Sequence, residues 1–333
     1  MSILVTGGAG YIGSHTVQAL LDGGYKVIVI DNLTTGHIKS IDQDRGQVRF
    51  YQCDIRNKEL ISRILHEHSI ESVIHFAASS LVGESMKEPS KYYDNNVYGT
   101  QCLLEAMSSQ NVKHIVFSST AATYGNPTHV PILETDPTMP TNTYGETKLT
   151  MERMMRWFEQ AYGMTYVALR YFNAAGASKN GTIGEDHTPE THLIPLVLQV
   201  ALNQREHISV YGDDYDTADG TCIRDYIHVS DLADAHVKAL QHLQDGGASN
   251  VFNLGNGNGY TVLEIIEAAR VVTGHSIPAH MEARREGDPA ILIADASKAR
   301  EQLKWIPQWT NIQQIIASAW KWHQANPKGY AGE

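Results

Sequence analysis

The sequence predicts an α/β fold: a doubly wound, mostly parallel sheet, with a smaller mixed α/β unit towards the C terminus. Three observations lead there. Short runs of apolar and β-branched residues alternate with helix-length stretches through the first half, and near-continuous apolar strands are those covered by helices on both faces. A glycine-rich turn joins the first strand directly to the first helix. From about Asn180 the strands shorten and the loops fill with Gly, Asp and Thr.

In chain order, Ile3-Leu4-Val5-Thr6 reads as a strand and Ile12 to Leu21 as a helix. Strands follow at Lys26 to Ile30 and Val48 to Cys53, then a helix at Glu59 to His68 and a strand at Ser72 to Phe76. Ser90 to Ser109 reads as one long helix, and Ile115 to Ser119 as a strand. A loop carrying Pro127, Pro131, Pro137 and Pro140 precedes a helix at Tyr144 to Tyr162 and a sixth strand at Tyr166 to Arg170. Right-handed crossovers between such units give the doubly wound arrangement. We divide the chain into residues 1–178 and 179–333, with chain crossings allowed between the two. In the second part, Gly212 to Gly220 reads as a loop on a binding face, and Val262 to Val272 and Ile312 to His323 as covering helices.

Composition narrows the function classes. The formal net charge is −11 and no run of Lys or Arg exceeds the Arg284-Arg285 pair, so nucleic acid is not an expected partner. The first strand runs straight into glycines, and no apolar run reaches the ~18 residues of a membrane span. Three widely spaced cysteines, Cys53, Cys102 and Cys222, point to reduced thiols and a cytoplasmic setting. Neither His66-Glu67-His68 nor His187 with His192 has a metal-site frame, so no metal is expected.

Gly7, Gly10 and Gly13 give a G-x-x-G-x-x-G spacing between strand and helix. Residues without Cβ let the backbone approach a pyrophosphate, and the free N–H groups of the helix start, at Tyr11 and Ile12, suit that anion. Asp31, with Asn32 after it, closes the second strand. A carboxylate there accepts from ribose hydroxyls and repels a 2′-phosphate, which favours NAD over NADP. Asp54-Ile55, at the end of the third strand, is expected near the adenine. The first half therefore reads as an NAD-binding Rossmann unit.

Tyr144 and Lys148 stand at i and i+4 and share a helix face. A neighbouring ammonium favours the phenolate and makes the Tyr a usable base. Thr120 closes the strand before this helix. A hydroxyl residue at a strand end, followed by Tyr-x-x-x-Lys on the next helix, resembles the extended branch of the short-chain dehydrogenase/reductase family. Further segments resemble its members that invert C4 of a UDP-hexose. They are Val5 to His15, His75-Phe76-Ala77-Ala78, Tyr92 to Val97, Leu169 to Asn173, Arg224 to Val229 and Arg284-Arg285-Glu286-Gly287-Asp288, and together they span nearly the whole chain.

That resemblance implies the following. Thr120 and Tyr144 bind the substrate oxygen, and Lys148 holds the nicotinamide ribose and tunes Tyr144. Phe76, Ala77, Asn95, Ser118 and Tyr171 border the cofactor. Phe172 lies near the sugar, and Asn173 contacts the phosphates. His192 stands where many relatives have Asn, Leu193 lies beside uracil, and Tyr211 stacks near it. Arg224 and Arg285 bind the diphosphate, where guanidinium forks suit phosphate oxygens, and Asp288 binds the uridine ribose. Ser79-Ser80 stand where some relatives carry a cofactor-binding Lys. Leu292 occupies the position where a Tyr or a small Cys gates an N-acetyl group, and its intermediate size leaves the sugar range open. A homodimer through long helices is also implied. Nucleotide-sugar 4,6-dehydratases follow the Thr with Asp-Glu; here Ala121-Ala122 follow, which argues against elimination of water. An NAD-sensing regulator on the same fold is the non-enzyme alternative, and such proteins usually lose the Tyr/Lys pair.

Overall fold

The computed structural model describes residues 1–285 and 288–331; Glu286 and Gly287 of the double-arginine segment, and Gly332 and Glu333, lie outside the described residues. Strand β1 (Ser2–Thr6) runs through the glycine turn into α1 (Tyr11–Asp22). Then come β2 (Lys26–Asp31), β3 (Val48–Gln52), α2 (Lys58–Glu67) and β4 (Ser72–His75). Two short helices, α3 (Val82–Ser85) and α4 (Pro89–Tyr92), lead through a π-helical turn at Tyr93–Tyr98 into α5 (Gly99–Ser109). Next are β5 (His114–Thr120), α6 (Thr143–Tyr162) and β6 (Thr165–Tyr171).

The remainder holds β7 (Asn173–Ala175), α7 (Leu193–Ala201), β8 (Ile208–Tyr211), β9 (Ile223–His228) and α8 (Val229–Gln244). It ends with β10 (Asn250–Leu254), β11 (Gly259–Thr261), α9 (Val262–Thr273), β12 (Ala279–Glu282), β13 (Ile291–Leu292), α10 (Ser297–Gln302) and α11 (Ile312–Ala325).

Seven parallel strands form the main sheet in the order β10-β6-β5-β4-β1-β2-β3. Alternate side chains feed two cores, as a pleated strand requires. Ile3, Val5, Val27 and Val29 face one side, with Leu20 of α1 and Leu240 of α8. Leu4, Ile28 and Ile30 face the other, with Leu103 of α5 and Met151 of α6. A third core joins Ile194 and Leu198 of α7 to Ile265 of α9 and Ile316 of α11. The chain order reverses between β4 and β1, and a ligand crevice forms outside the strand carboxyl ends at such a switch point.

Two elements differ from expectation. The helix expected over Ser90–Ser109 contains the π turn, and buried Asn96 explains it. Its Oδ1 accepts from Ser79 N at 2.8 Å, and its Nδ2 donates to Ser79 O and to Thr147 Oγ1 of α6, each at 3.0 Å. One residue of extra winding aims this amide inward. The second is α8, which sequence patterning did not single out. With β10 it returns from the second half of the chain to complete the main sheet and its cover.

Candidate active site

The glycine turn is fixed by contact. Gly7 has φ +68°, and a Cβ there would lie 2.6 Å from Ala77 N; a Cβ on Gly13 would lie 2.2 Å from Gly7 O. The start of α1 has no side-chain cap and no acidic residue in its first turn, which leaves backbone N–H groups facing outward for an anion. Asp31 closes β2. Its Oδ2 accepts from Ala9 N at 3.0 Å and its Oδ1 from Leu33 N at 2.8 Å. Burial raises its pKa while these N–H groups pull it down. Asp31 thus also holds the turn, which sequence did not reveal. Glycine cradle, uncapped helix start and strand-end carboxylate together fit a dinucleotide such as NAD.

Around the turn, the Tyr11 hydroxyl donates to Gly176 O at 2.6 Å, and Ile12 packs on the core beneath. Asn32 lies 3.4 Å from Asp54 Oδ2. The Arg56 guanidinium holds the Asp54 carboxyl down at about 2, and Ile55 is buried against Gly99. Phe76 packs on the His236 ring with centroids 4.5 Å apart, and Ala77 N donates to Thr6 O at 3.2 Å. Asn95 donates to Asn96 Oδ1 at 3.0 Å. Asn96, beside it, makes the contacts that join this segment to α6.

At the end of β5, Thr120 faces the helix that carries Tyr144 and Lys148. Asn142 caps that helix by accepting from Gly145 N at 2.8 Å, as a good N-cap should. Lys148 Nζ donates to Ser118 O at 2.8 Å and lies 5.9 Å from the centroid of the Tyr144 ring. Burial pushes the Tyr144 phenol up to about 12, and the Thr120 hydroxyl pulls the other way. Burial brings the Lys148 amine down to about 7, against the attraction of Glu152. Tyr171 bonds through its hydroxyl to Ser118 Oγ, behind the pair. Under α6, buried Glu152 takes a two-pronged contact from Arg170, at 3.0 and 2.6 Å. Asn96 and Arg170 fall within segments that carry the family resemblance, but the sequence gave neither of them, nor Glu152, a role.

The other expected substrate residues are spread from the end of β6 to the loop before β13. Phe172 joins β6 to β7, and Asn173 opens β7. His192 precedes α7 as its N-cap residue, and Leu193 is the first helical residue. Arg224 of β9 stands opposite Leu292 of β13 and is ion-paired with Asp288. The two residues expected to take different parts of the ligand thus contact each other. The Arg285 guanidinium lies 4.0 Å over the Tyr211 ring, while Arg284 is held by Asp214. The resemblance includes Asp225 in a quoted segment but gave it no role; it is buried and accepts from Asn256 N at 2.9 Å, Gly257 N at 3.0 Å and Ala294 N at 3.2 Å. Burial raises its pKa to about 6, against the pull of those donors.

A parallel sheet with this switch-point turn, and a Tyr–Lys helix beside a strand-end Thr, define an enzyme of the extended short-chain dehydrogenase/reductase class. Within that class, the chain belongs to the NAD dependent epimerase/dehydratase family, whose model matches residues 3–255. It is 59% identical over 333 residues to a UDP-glucose 4-epimerase of Halalkalibacterium halodurans, covering 100% of this chain and 98% of that one. A crystal structure of a UDP-glucose 4-epimerase superposes with a TM-score of 0.96 at 56% identity, covering 99% of both chains. The UDP-glucose 4-epimerase of Bifidobacterium longum, solved with NAD+ and UDP, gives 0.93 at 44% identity, covering 99% of this chain and 100% of that one. No helix among the described residues is long and apolar enough to cross a membrane.

Proposed function

We propose that this protein interconverts UDP-glucose and UDP-galactose by transient oxidation at C4 of the sugar, in the cytoplasm and as a homodimer. The observation that carries this is the convergence of Thr120, at the end of β5, with Tyr144 and Lys148 of α6. The glycine turn, Asp31 and Lys148 would hold NAD, which would supply a two-electron acceptor and donor and a positive charge. Tyr144 Oη takes the proton of the 4-hydroxyl as C4 is oxidised, and returns it when the ketone is reduced. Thr120 Oγ1 holds the same oxygen. Lys148, whose pKa burial brings to about 7, stabilises the phenolate when protonated, against the burial that disfavours it. Arg224 and Arg285 anchor the diphosphate while the 4-keto ring turns over, so that reduction reaches its other face. In this reading Arg224 leaves Asp288 for the phosphates, and Asp288 turns to the ribose. Ala121 and Ala122 offer no carboxylate for elimination.

Tyr144→Phe tests this directly. Turnover should fall by about 10²–10⁴-fold, the range for loss of a positioned acid–base group, while UDP binding stays near that of the unsubstituted protein. Near-normal turnover would remove Tyr144 from the reaction. Assaying the N-acetylated UDP-sugar pair beside the plain one tests Leu292 as the gate, and light scattering tests the dimer. Trp157 and Tyr162, exposed on α6, favour burial of that helix against a second copy.

A further inference from the structure

The loop between β7 and α7 carries a cluster whose His187–His192 pair the sequence reading set aside as a metal site, and of which only His192 is among the expected substrate residues. Glu185, His187, Glu190 and His192 each offer one ligating atom, and these atoms all lie within 4.8 Å of one another. We propose that these four side chains form a binding site for a divalent transition-metal ion of the zinc class.

Three observations carry it. The first is spacing. His187 Nδ1 stands 3.4 Å from Glu185 Oε1 and 3.7 Å from Glu190 Oε2. These separations are long for direct hydrogen bonds. Tetrahedral zinc, with bonds of about 2.0–2.1 Å, sets its ligand atoms about 3.4 Å apart. His192 Nδ1 is instead hydrogen-bonded directly to Glu185 Oε1, so these two groups have to part before both can ligate one ion. The second is burial without a permanent cation. The Glu185 side chain is 3% exposed and that of Glu190 6%, and no Lys or Arg pairs with either among the described residues. Two buried carboxylates need a positive partner; without an ion, His187 and His192 fill that place as His–carboxylate pairs, and an ion bound by all four groups would take it over. The third is preorganisation. Glu190 Oε1 is already taken by Thr191 N and His192 N, at 2.7 and 2.8 Å, so its Oε2 points inward. The His187 ring packs edge-on to both Tyr11 and His192.

The donor set selects the ion. Two imidazole nitrogens with two carboxylate oxygens suit zinc and its first-row neighbours and disfavour calcium and magnesium, which prefer all-oxygen shells. The site joins two working parts of the fold. His187 leans on Tyr11 of the glycine turn, and His192 sits at the start of α7. An ion here would fix the loop that sets where α7 begins.

The test uses full-length protein without a His tag, stripped with a chelator and then dialysed against zinc. Elemental analysis should find one equivalent bound per chain, and cobalt(II) in its place should give the intense visible bands of a four-coordinate nitrogen–oxygen site. Glu190→Gln, which keeps the side chain's shape, and His187→Ala should each weaken zinc binding by on the order of 100-fold, since loss even of groups behind a ligand costs 10–100-fold. Both variants should keep the far-ultraviolet circular dichroism of the parent without metal. No stoichiometric zinc uptake by the parent, or unchanged uptake by both variants, overturns the proposal and leaves the cluster as a network of His–carboxylate ion pairs. The readout is metal binding, so its failure is separate from failure of the epimerase reading.

Discussion

Individual side chains here trade solvation for precise placement, and His75 at the end of β4 makes the cost measurable. It is fully buried between Thr6 Oγ1 at 2.6 Å and Thr100 Oγ1 at 2.9 Å. Burial, aided by the Lys148 charge, lowers its pKa to about 3. An unfolded His titrates near 6.5. Between these values the unfolded chain holds a proton that the folded chain lacks, so this contribution is present above about pH 6.5 and is lost as pH falls towards 3. His75→Asn keeps polar atoms in place and removes the titration. The variant should start less stable at neutral pH, yet its stability should fall less steeply from about pH 6.5 to pH 4. Urea unfolding curves across that range give both slopes, and parallel slopes would show that His75 does not carry the effect.

Elements are held in register by a few polar clamps. The π turn exists for Asn96, whose amide ties the loop at Ser79 to Thr147 of α6, one residue before Lys148. Asn96→Ala leaves the half-buried Ser79 N and O without their amide partners and cuts the tie to Thr147, whose hydroxyl keeps its bond to Tyr144 O, at a cost of about 1–3 kcal/mol. The same change frees α6 to shift, so turnover should fall as well, although residue 96 touches no reacting atom. Thermal melts and steady-state rates on one preparation check both, and normal values in both would contradict the clamp. The helix itself was legible: Asn142 marks its start, and Gly163, with φ +65°, its end. The π turn was not, because a single inward amide leaves no periodic trace. Nor was α8 singled out. Its N-cap is His228, whose ring accepts from Ser230 N at 3.1 Å, and His is outside the usual capping residues.

For the whole molecule, the decisive feature is that the chain crosses back. Residues 1–178 contain the cofactor turn and the Thr–Tyr–Lys set, but β6 pairs with β10, and α8 covers Val17, Leu20 and Leu21. A fragment of residues 1–178 would expose that face of the sheet. It should lack a cooperative thermal transition, and NAD should not raise its melting temperature. A fragment with a sharp, NAD-shifted melt would show that the first half folds unaided.

The sequence by itself determined the order and type of the early elements, the glycine turn with Asp31, and the Tyr–Lys spacing on one helix face. These follow from local periodicity and from neighbours a few residues apart, which a linear pattern records. Tertiary structure decided the rest. It gave Asp31 its second task of holding the turn, set Arg170 against Glu152 under α6, paired Arg224 with Asp288, and returned β10 to the first sheet. It also gathered Glu185, His187, Glu190 and His192 into one cluster. Irregular spacing hides such groupings, because their contacts depend on how a loop folds back and not on any period along the chain.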